Sequence, residues 1–229
     1  MSSMEGKKSE CSDNSFTGVM TLTKMRTSLA AATEFFNLSL EEKITLLSDN
    51  VHNPVRDKMG NYAEAVQALQ KQLMEVIVET LGLNFGTLHN EIEEGSQVMA
   101  INCYPACPEP DLTLEWLRAI ASGQEQELAL CSIVEGAFIV QLGDQIQVMS
   151  NGKYKSVVHQ VTLSAEKKRL SIASLHSLPL NKKIGPAPEL VDEQHPASYK
   201  EFSFRDFLDY ISSNNNADGR FIDSIKKSA

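Results

Sequence analysis

The sequence lacks a surplus of basic residues. Its 229 residues include 21 Lys and Arg against 30 Asp and Glu, which gives a formal net charge of -9 at pH 7 and a pI near 5.1. An acidic chain repels the phosphate backbone of DNA or RNA, and no local cluster of Lys and Arg offers an exception. We therefore expect no nucleic acid among its partners.

Long apolar runs are also missing. No segment approaches the roughly 18 apolar residues that a membrane-spanning helix needs. The first twenty residues, MSSMEGKKSECSDNSFTGVM, are polar and lack the apolar stretch of a secretory signal. The 42% of hydrophobic and 22% of charged residues are ordinary for a folded globular protein. These features predict a cytoplasmic protein with no membrane partner.

Cysteine is scarce and irregularly spaced. The four cysteines include no C-x-x-C pair, and their spacing relative to the five histidines matches no zinc-site pattern. Free thiols are therefore expected, with neither a disulfide framework nor a zinc centre. The cysteines are Cys11, Cys103, Cys107 and Cys131.

The first part of the chain, residues 1–95, has the pattern of helices. An apolar-periodic stretch covers Met25 to Phe36, and Ser39 to Glu42 has the form of a capping box that begins a new helix. A turn is expected at Pro54. The clearest helix covers Asn61 to Leu81, where apolar residues recur every three to four positions, and Gly82 is placed to end it.

The second part, residues 96–229, has short alternating runs that predict antiparallel strands. Asn151-Gly152 predicts a hairpin turn, because a type I′ turn needs positive φ at both central residues. A sandwich or barrel is implied, followed by a helix near Phe204 to Ser212, and the two parts are expected to form one folding unit. The predicted strands are Gln97 to Tyr104, Ala137 to Leu142, Gln145 to Ser150, Ser156 to Leu163 and Arg169 to Ser174.

Several short motifs follow one another in this second part. They are Asn102-Cys103-Tyr104-Pro105, Gly143-Asp144, Met149 to Ser156 with His159, and Arg169-Leu170-Ser171. In order and spacing the set resembles the plant iron(II)/2-oxoglutarate-dependent dioxygenases, within them the flavanone 3-hydroxylase-like and salicylate hydroxylase-like group. The resemblance covers about residues 96 to 212. It implies an α+β fold, an incomplete double-stranded β-helix (jelly roll) with N-terminal helices and a C-terminal helix.

The resemblance also implies a chemistry and a partner. Members of the family are oxidoreductases that use iron(II) and 2-oxoglutarate, so a small-molecule metabolite of plant specialised or hormone metabolism is the expected partner. Two histidines and one carboxylate hold the iron on one side, and 2-oxoglutarate occupies two of the three open positions. His159 matches the second of the two histidines. A monomer is expected.

The cofactor-binding residues implied by the family lie in two pairs. Arg169 and Ser171 are two apart on a strand, so both side chains point to one face. There the Arg fork and the Ser hydroxyl can bind the far carboxylate of 2-oxoglutarate. Asn102 and Tyr104 share a face by the same reasoning, and the family uses this Tyr as a further hydrogen-bond donor.

Simpler interpretations stand beside these. Arg169 could pair with a structural carboxylate, and His159 could be a strand histidine with no metal. Asp144 is interpreted as part of a structural Gly-Asp turn and not as a metal ligand. These alternatives remain open on sequence alone.

The expected His-x-Asp ligand pair is absent. It should follow the Asn-x-Tyr strand, but the interval from Leu112 to Glu127 contains no histidine. The one His-x-acid sequence, His89-Asn90-Glu91, precedes that strand and is not expected to bind metal. Val55-Arg56 also runs directly into Asp57, where the family has a long substrate-side segment. The chain is therefore predicted to lack two of three iron ligands, and iron occupancy is in doubt.

Three hypotheses follow from this pattern. The chain is a dioxygenase-like oxidoreductase with impaired catalysis, acting by descent on a small aromatic or flavonoid-like metabolite. Alternatively it is a non-catalytic or regulatory relative that binds 2-oxoglutarate or another dicarboxylate at Arg169. The third hypothesis is a non-functional truncated gene product. One imidazole cannot by itself fix an iron site that has three open positions.

Overall fold

The computed structural model describes residues 22–46, 54–110, 134, 136–157, 159, 161, 163–213 and 220–227. Its helices are α1 (Leu22–Asn37), α2 (Leu40–Leu46), α3 (Pro54–Thr80), α4 (His89–Glu93), α5 (Asp144–Met149), α6 (Phe204–Ser213) and α7 (Phe221–Ser224). Its strands are β1 (Ser96–Tyr104) and β2 (Arg169–Ser177). Short 3-10 helices cover Phe85–Thr87 and Pro188–Leu190.

The predicted start of α2 is confirmed in atomic detail. The Ser39 hydroxyl accepts from the Glu42 backbone N-H at 3.2 Å, and the Glu42 carboxylate accepts from the Ser39 backbone N-H at 2.9 Å. The pair satisfies donors that the first turn of a helix leaves without partners. The bond from the Ser39 N-H also lowers the pKa of the Glu42 carboxyl.

The long helix α3 begins earlier than the apolar pattern predicts. Pro54 is its first residue, a position that tolerates Pro because its missing N-H would have no helical partner there. The helix ends near Gly82, whose φ of 74° lies in the left-handed region as predicted. Helix α1 packs against α3, and Ala31 of α1 is fully buried. The segment just before Pro54 lies outside the described residues.

The two strands pair antiparallel along their whole length, with Ser96 opposite Ser177 at one end and Tyr104 opposite Arg169 at the other. Both predicted runs, Gln97 to Tyr104 and Arg169 to Ser174, are thus strands. In the described part of the chain they form a two-stranded sheet.

The predicted strand Gln145 to Ser150 is wrong, because this segment is helix α5. Alternating Ile146 and Val148 fit one and a half helical turns as well as they fit a short strand. The turn that follows has the predicted positive φ, 50° at Asn151 and 82° at Gly152. It closes a helix instead of joining two strands, with the Gly152 N-H donating to the Gln147 carbonyl at 2.8 Å.

Two further predicted strands are also wrong within the described residues. Ala137 to Leu142 has no regular secondary structure, and neither do the described residues between Ser156 and Leu163. An alternating pattern supplies side chains for a strand but not the hydrogen-bonded neighbour that a strand requires. The sheet is therefore narrower than the sequence predicts.

The C-terminal helix predicted near Phe204 to Ser212 is confirmed as α6. Ser203 and Asp206 form a second capping box, with the Asp206 N-H donating to the Ser203 hydroxyl at 3.2 Å and the Ser203 N-H donating to the carboxylate at 2.7 Å. Tyr210 of α6 packs on Phe221 of α7, with ring centroids 5.3 Å apart.

The main hydrophobic core lies away from the sheet. It joins the end of α3 and helix α4 to α5 and to the last third of the chain. Its buried residues are Val78, Ile92, Val148, Met149, Leu178, Ile184, Tyr199, Phe202, Phe221, Ile222 and Ile225. Residues on both sides of position 95 thus pack in one cluster.

Candidate functional site

The β1–β2 sheet has two faces that differ in character. We call the site face the one that carries Asn102, Tyr104, Arg169 and Ser171, and the helix face the opposite one. On the helix face, the Gln97 side-chain amide donates to the Ala63 carbonyl of α3 at 3.2 Å and to the Ser174 hydroxyl at 2.8 Å. The first bond attaches the sheet to α3, the second joins the two strands, and the site face is turned away from that helix.

The four predicted cofactor-binding residues lie together on the site face. Tyr104 is directly opposite Arg169, and Asn102 is directly opposite Ser171. Side chains of paired residues in an antiparallel sheet are near neighbours. All four are partly buried. The strand register therefore places a cation, two hydroxyls and an amide at one end of the sheet. They belong to two consecutive residue pairs of the site face, which we call the two rungs.

Arg169 and Tyr104 are in direct contact. The guanidinium carbon lies over the Tyr104 ring, 4.3 Å from its centroid, within the range of a cation-π interaction. Among the described residues, no carboxylate lies within ion-pair distance of Arg169. The alternative of a structural carboxylate partner therefore finds no candidate in the described part of the chain.

The site face becomes apolar away from these rungs. Ala100 lies opposite Ala173, and Val98 lies opposite Leu175. The Val98 and Leu175 side chains are 52% and 56% exposed. A pair of large apolar side chains in the middle of a sheet face is normally covered. This pair is instead exposed.

His159, the predicted iron ligand, lies in an exposed segment without regular secondary structure. Its Nδ1 atom is 3.3 Å from the Val157 carbonyl oxygen. In the part of the chain that the structure describes, no three His, Cys, Asp or Glu side chains are grouped so as to hold a metal ion.

The donor set does not fit the iron site of the family. The interval from Leu112 to Glu127 lies outside the described residues, and the sequence contains no histidine between His89 and His159. Within the described residues His89 lies 3.9 Å from Glu93, and Glu91 is 2.7 Å from Lys182, so that His-x-acid pair makes structural contacts. One imidazole remains where two histidines and a carboxylate are needed.

The segment before His159 is held by a buried polar network that the sequence did not reveal. The Gln147 amide donates to the Tyr199 hydroxyl at 2.8 Å, and its carbonyl accepts from the Ser156 N-H at 2.7 Å. Arg220 contacts the Ser156 hydroxyl at 3.3 Å and Asp144 at 3.6 Å. Asp144 is thus in a structural role, and Gln147 gave no sequence signal because its burial depends on the distant Tyr199.

Known proteins share sequence similarity with this sheet. The sequence model of the 2OG-Fe(II) oxygenase superfamily matches residues 95–177, which includes both strands. A rice (Oryza sativa subsp. japonica) protein, 2-oxoglutarate-dependent dioxygenase 21, chloroplastic, is 32% identical over 88% of this chain and 78% of its own length. The chain belongs to the 2OG-Fe(II) oxygenase superfamily. Rice flavanone 3-dioxygenase 3 is 30% identical over 86% of this chain and 78% of its own length.

The fold of this oxygenase also has a solved counterpart. The crystal structure of JOX2 in complex with 2OG, Fe and JA superposes with a TM-score of 0.76, covering 92% of this chain and 80% of that one at 21% identity. The likeness confirms the predicted fold class, an incomplete jelly roll with helices before and after it. Iron(II) and 2-oxoglutarate, which the resemblance implied, are confirmed as the cofactors of the family.

The oxygenase is shorter than its relative within the aligned region itself. The alignment with dioxygenase 21 spans 258 positions but includes 88% of the 229 residues here, about 202, so roughly 56 positions of the rice protein have no counterpart in this chain. In this chain α3 continues without a break through Val55, Arg56 and Asp57. None of the helices in the described ranges combines the length and apolarity required to cross a bilayer.

Proposed function

We propose that this oxygenase is an iron(II)/2-oxoglutarate dioxygenase-like oxidoreductase of plant specialised or hormone metabolism with impaired catalysis, which retains binding of 2-oxoglutarate or another dicarboxylate. The observation that carries the proposal is the pair of rungs at the end of the sheet. Arg169 and Ser171 face Tyr104 and Asn102 there, and no described carboxylate neutralises the Arg.

The chemistry of binding follows from the side chains. A ligand carboxylate accepts two parallel N-H bonds from the Arg169 guanidinium, while the Ser171 hydroxyl donates a third bond. In the family the other end of 2-oxoglutarate is held by iron, which supplies the oxidative chemistry when bound. Because the donor set here does not fit that metal, we derive no oxidation step.

Without iron, the end of 2-oxoglutarate that carries the 2-oxo group has no binding partner, and this affects selectivity between dicarboxylates. With one carboxylate recognised and the 2-oxo group not bound, 2-oxoglutarate and succinate are expected to bind with similar affinity. Two or three charge-assisted bonds on a small ligand correspond to weak binding, on the order of millimolar.

The test uses the full chain under anaerobic conditions. Calorimetric titrations with iron(II), 2-oxoglutarate and succinate are followed by measurement of succinate release in air. Dicarboxylate binding without tight iron binding supports the proposal. Tight iron binding with succinate production overturns the impaired state, and the absence of all binding favours a non-functional truncated product.

A matched pair of variants locates the site. Arg169→Gln removes the site cation, and Lys168→Gln removes one positive charge at the preceding, exposed position, whose Nζ contacts Asn37. Dicarboxylate binding is expected to be lost in Arg169→Gln and retained in Lys168→Gln. Equal losses in both variants would mean that net charge, and not the Arg fork, governs binding.

The remaining parts of the proposal concern setting and substrate. We propose that the protein is a monomer in the cytoplasm. We also propose that it binds neither nucleic acid nor membranes, and its net charge of -9 supports this part because anionic partners repel it. A small aromatic or flavonoid-like substrate is supported by the flavanone 3-dioxygenase relative. Light scattering after size-exclusion chromatography tests the monomeric state, and cell fractionation tests the location.

A further inference from the structure

The contact between Arg169 and Tyr104 restricts how the guanidinium is oriented. A guanidinium that stacks on an aromatic ring presents its flat face to that ring, whereas its N-H donors lie in the plane and point outward from the edge. An Arg that is stacked on a ring therefore keeps its fork available for a carboxylate. The ring and the ligand use different parts of the same side chain.

Other restraints on Arg169 are absent from the described part of the chain. No hydrogen bond from its guanidinium to a described residue is present, and the Tyr104 hydroxyl likewise has no described hydrogen-bond partner. A flexible Arg side chain loses about 2 kcal/mol of rotamer freedom when it is fixed. A restraint that acts before the ligand arrives reduces this cost at binding.

We propose that Tyr104 is a positioning residue for Arg169 and acts through the face of its ring, which leaves its hydroxyl available to the ligand. This inference rests on the proposed dicarboxylate binding, and it gives Tyr104 a second role beside the hydroxyl donor that the family resemblance implied. The ring holds the guanidinium over the end of the sheet, where the Ser171 hydroxyl completes the carboxylate site.

The first test compares Tyr104→Phe with Tyr104→Leu in the full chain, using succinate titrations without iron. Tyr104→Phe keeps the ring and loses only the hydroxyl, so it is expected to weaken binding by no more than one hydrogen bond, up to about ten-fold. Relative to Tyr104→Phe, Tyr104→Leu is expected to weaken binding further, between about two-fold and about thirty-fold, the range of a cation-π contact. Equal losses in both variants would overturn the proposal, because they would show that the hydroxyl makes the contact.

A second test does not depend on how well Tyr104→Leu folds. Phenylalanine with one, two or three ring fluorines at position 104 keeps the ring's shape while it withdraws charge from the ring face. Succinate affinity is expected to fall stepwise with each fluorine. An affinity that is independent of fluorination would contradict the stacking role.

A third measurement separates failure of this inference from failure of the proposed function. The Arg169 Nε-H resonance, assigned by its absence in Arg169→Lys, is recorded in the ligand-free protein. An upfield ring shift in the unaltered chain and in Tyr104→Phe, lost in Tyr104→Leu, establishes stacking even if no dicarboxylate binds. No ring shift alongside measurable succinate binding would sink the inference and leave the proposed function standing.

Discussion

The core cluster and the β1–β2 sheet differ in how deeply their side chains are buried and in how many contacts those side chains make. In the core, Val148 is fully buried and Ile222 is 1% exposed, and the buried Gln147 uses both ends of its amide. On the site face, Val98 and Leu175 are exposed, and Arg169 has one aromatic contact. Stability and the proposed ligand binding are therefore expected to depend on different regions, and substitutions in one should leave the other largely intact.

The largest effect is expected from a cavity in the core. Ile222→Ala removes a nearly fully buried side chain and should lower the free energy of unfolding by about 2–5 kcal/mol, measured by urea denaturation. Ile211→Ala on α6, where the side chain is half exposed, is the matched control and should change it by less than about 0.5 kcal/mol. Similar losses in both would mean that Ile222 is not part of the core.

A smaller effect is expected at the polar network beside the core. Gln147→Ala leaves the Tyr199 hydroxyl and the Ser156 N-H without their partner and should cost about 1–3 kcal/mol. The exposed Gln72→Ala on α3 is the control. If Gln147→Ala unfolds at the same urea concentration as the unaltered chain, the network contributes little to the free energy of folding.

A weaker, pH-dependent effect is expected on the helix face of the sheet. Burial lowers the pKa of His176 from its ordinary 6.5, so the unfolded chain binds this proton more tightly than the folded one. Stability is then fully present above about pH 6.5 and is lost progressively as the pH falls towards the folded-state pKa. Urea denaturation at about pH 7.5 and about pH 5.5 measures the difference.

The control for His176 uses a second histidine. His176→Gln should reduce the pH dependence, whereas His159→Gln, at an exposed position without regular secondary structure, should change it less. An unaltered pH dependence in His176→Gln would assign it to other groups.

The smallest change in stability is expected on the site face. Val98→Thr combined with Leu175→Thr removes the exposed apolar pair and should shift the free energy of unfolding by no more than about 0.5 kcal/mol. Exposed apolar strands promote association between copies. Light scattering at concentrations well above those at which the chain is proposed to be monomeric should therefore show weaker transient association in the double variant, and a large loss of stability would mean that the pair is covered.

Local signals predicted much of this fold, and distant contacts account for what was wrong. The capping box at Ser39 and the glycine that ends α3 act within one turn, so the sequence reveals them. Helix α5 was predicted as a strand because six residues are too few to separate the two periods. Its burial depends on residues such as Tyr199, about fifty positions away.

The candidate site was likewise predicted from local signals in part, while the rest depends on distant contacts. Spacing alone places Arg169 and Ser171 on one face, and the family motif adds Asn102 and Tyr104. The register that sets Tyr104 against Arg169 joins positions 65 residues apart, and no local pattern encodes it. The absence of the His-x-Asp pair needs no structure, because it is written in the sequence itself.

Helix α3 runs through both regions. In the first half of the helix, the Ala63 carbonyl accepts from Gln97 of the sheet. Near its C-terminal end Val78 lies in the core, and the Thr80 hydroxyl is 2.9 Å from that of Tyr154. At 1.5 Å per residue Ala63 and Thr80 are about 25 Å apart along the helix. The amide protons between these two anchored positions should therefore exchange with solvent deuterium as one slow block.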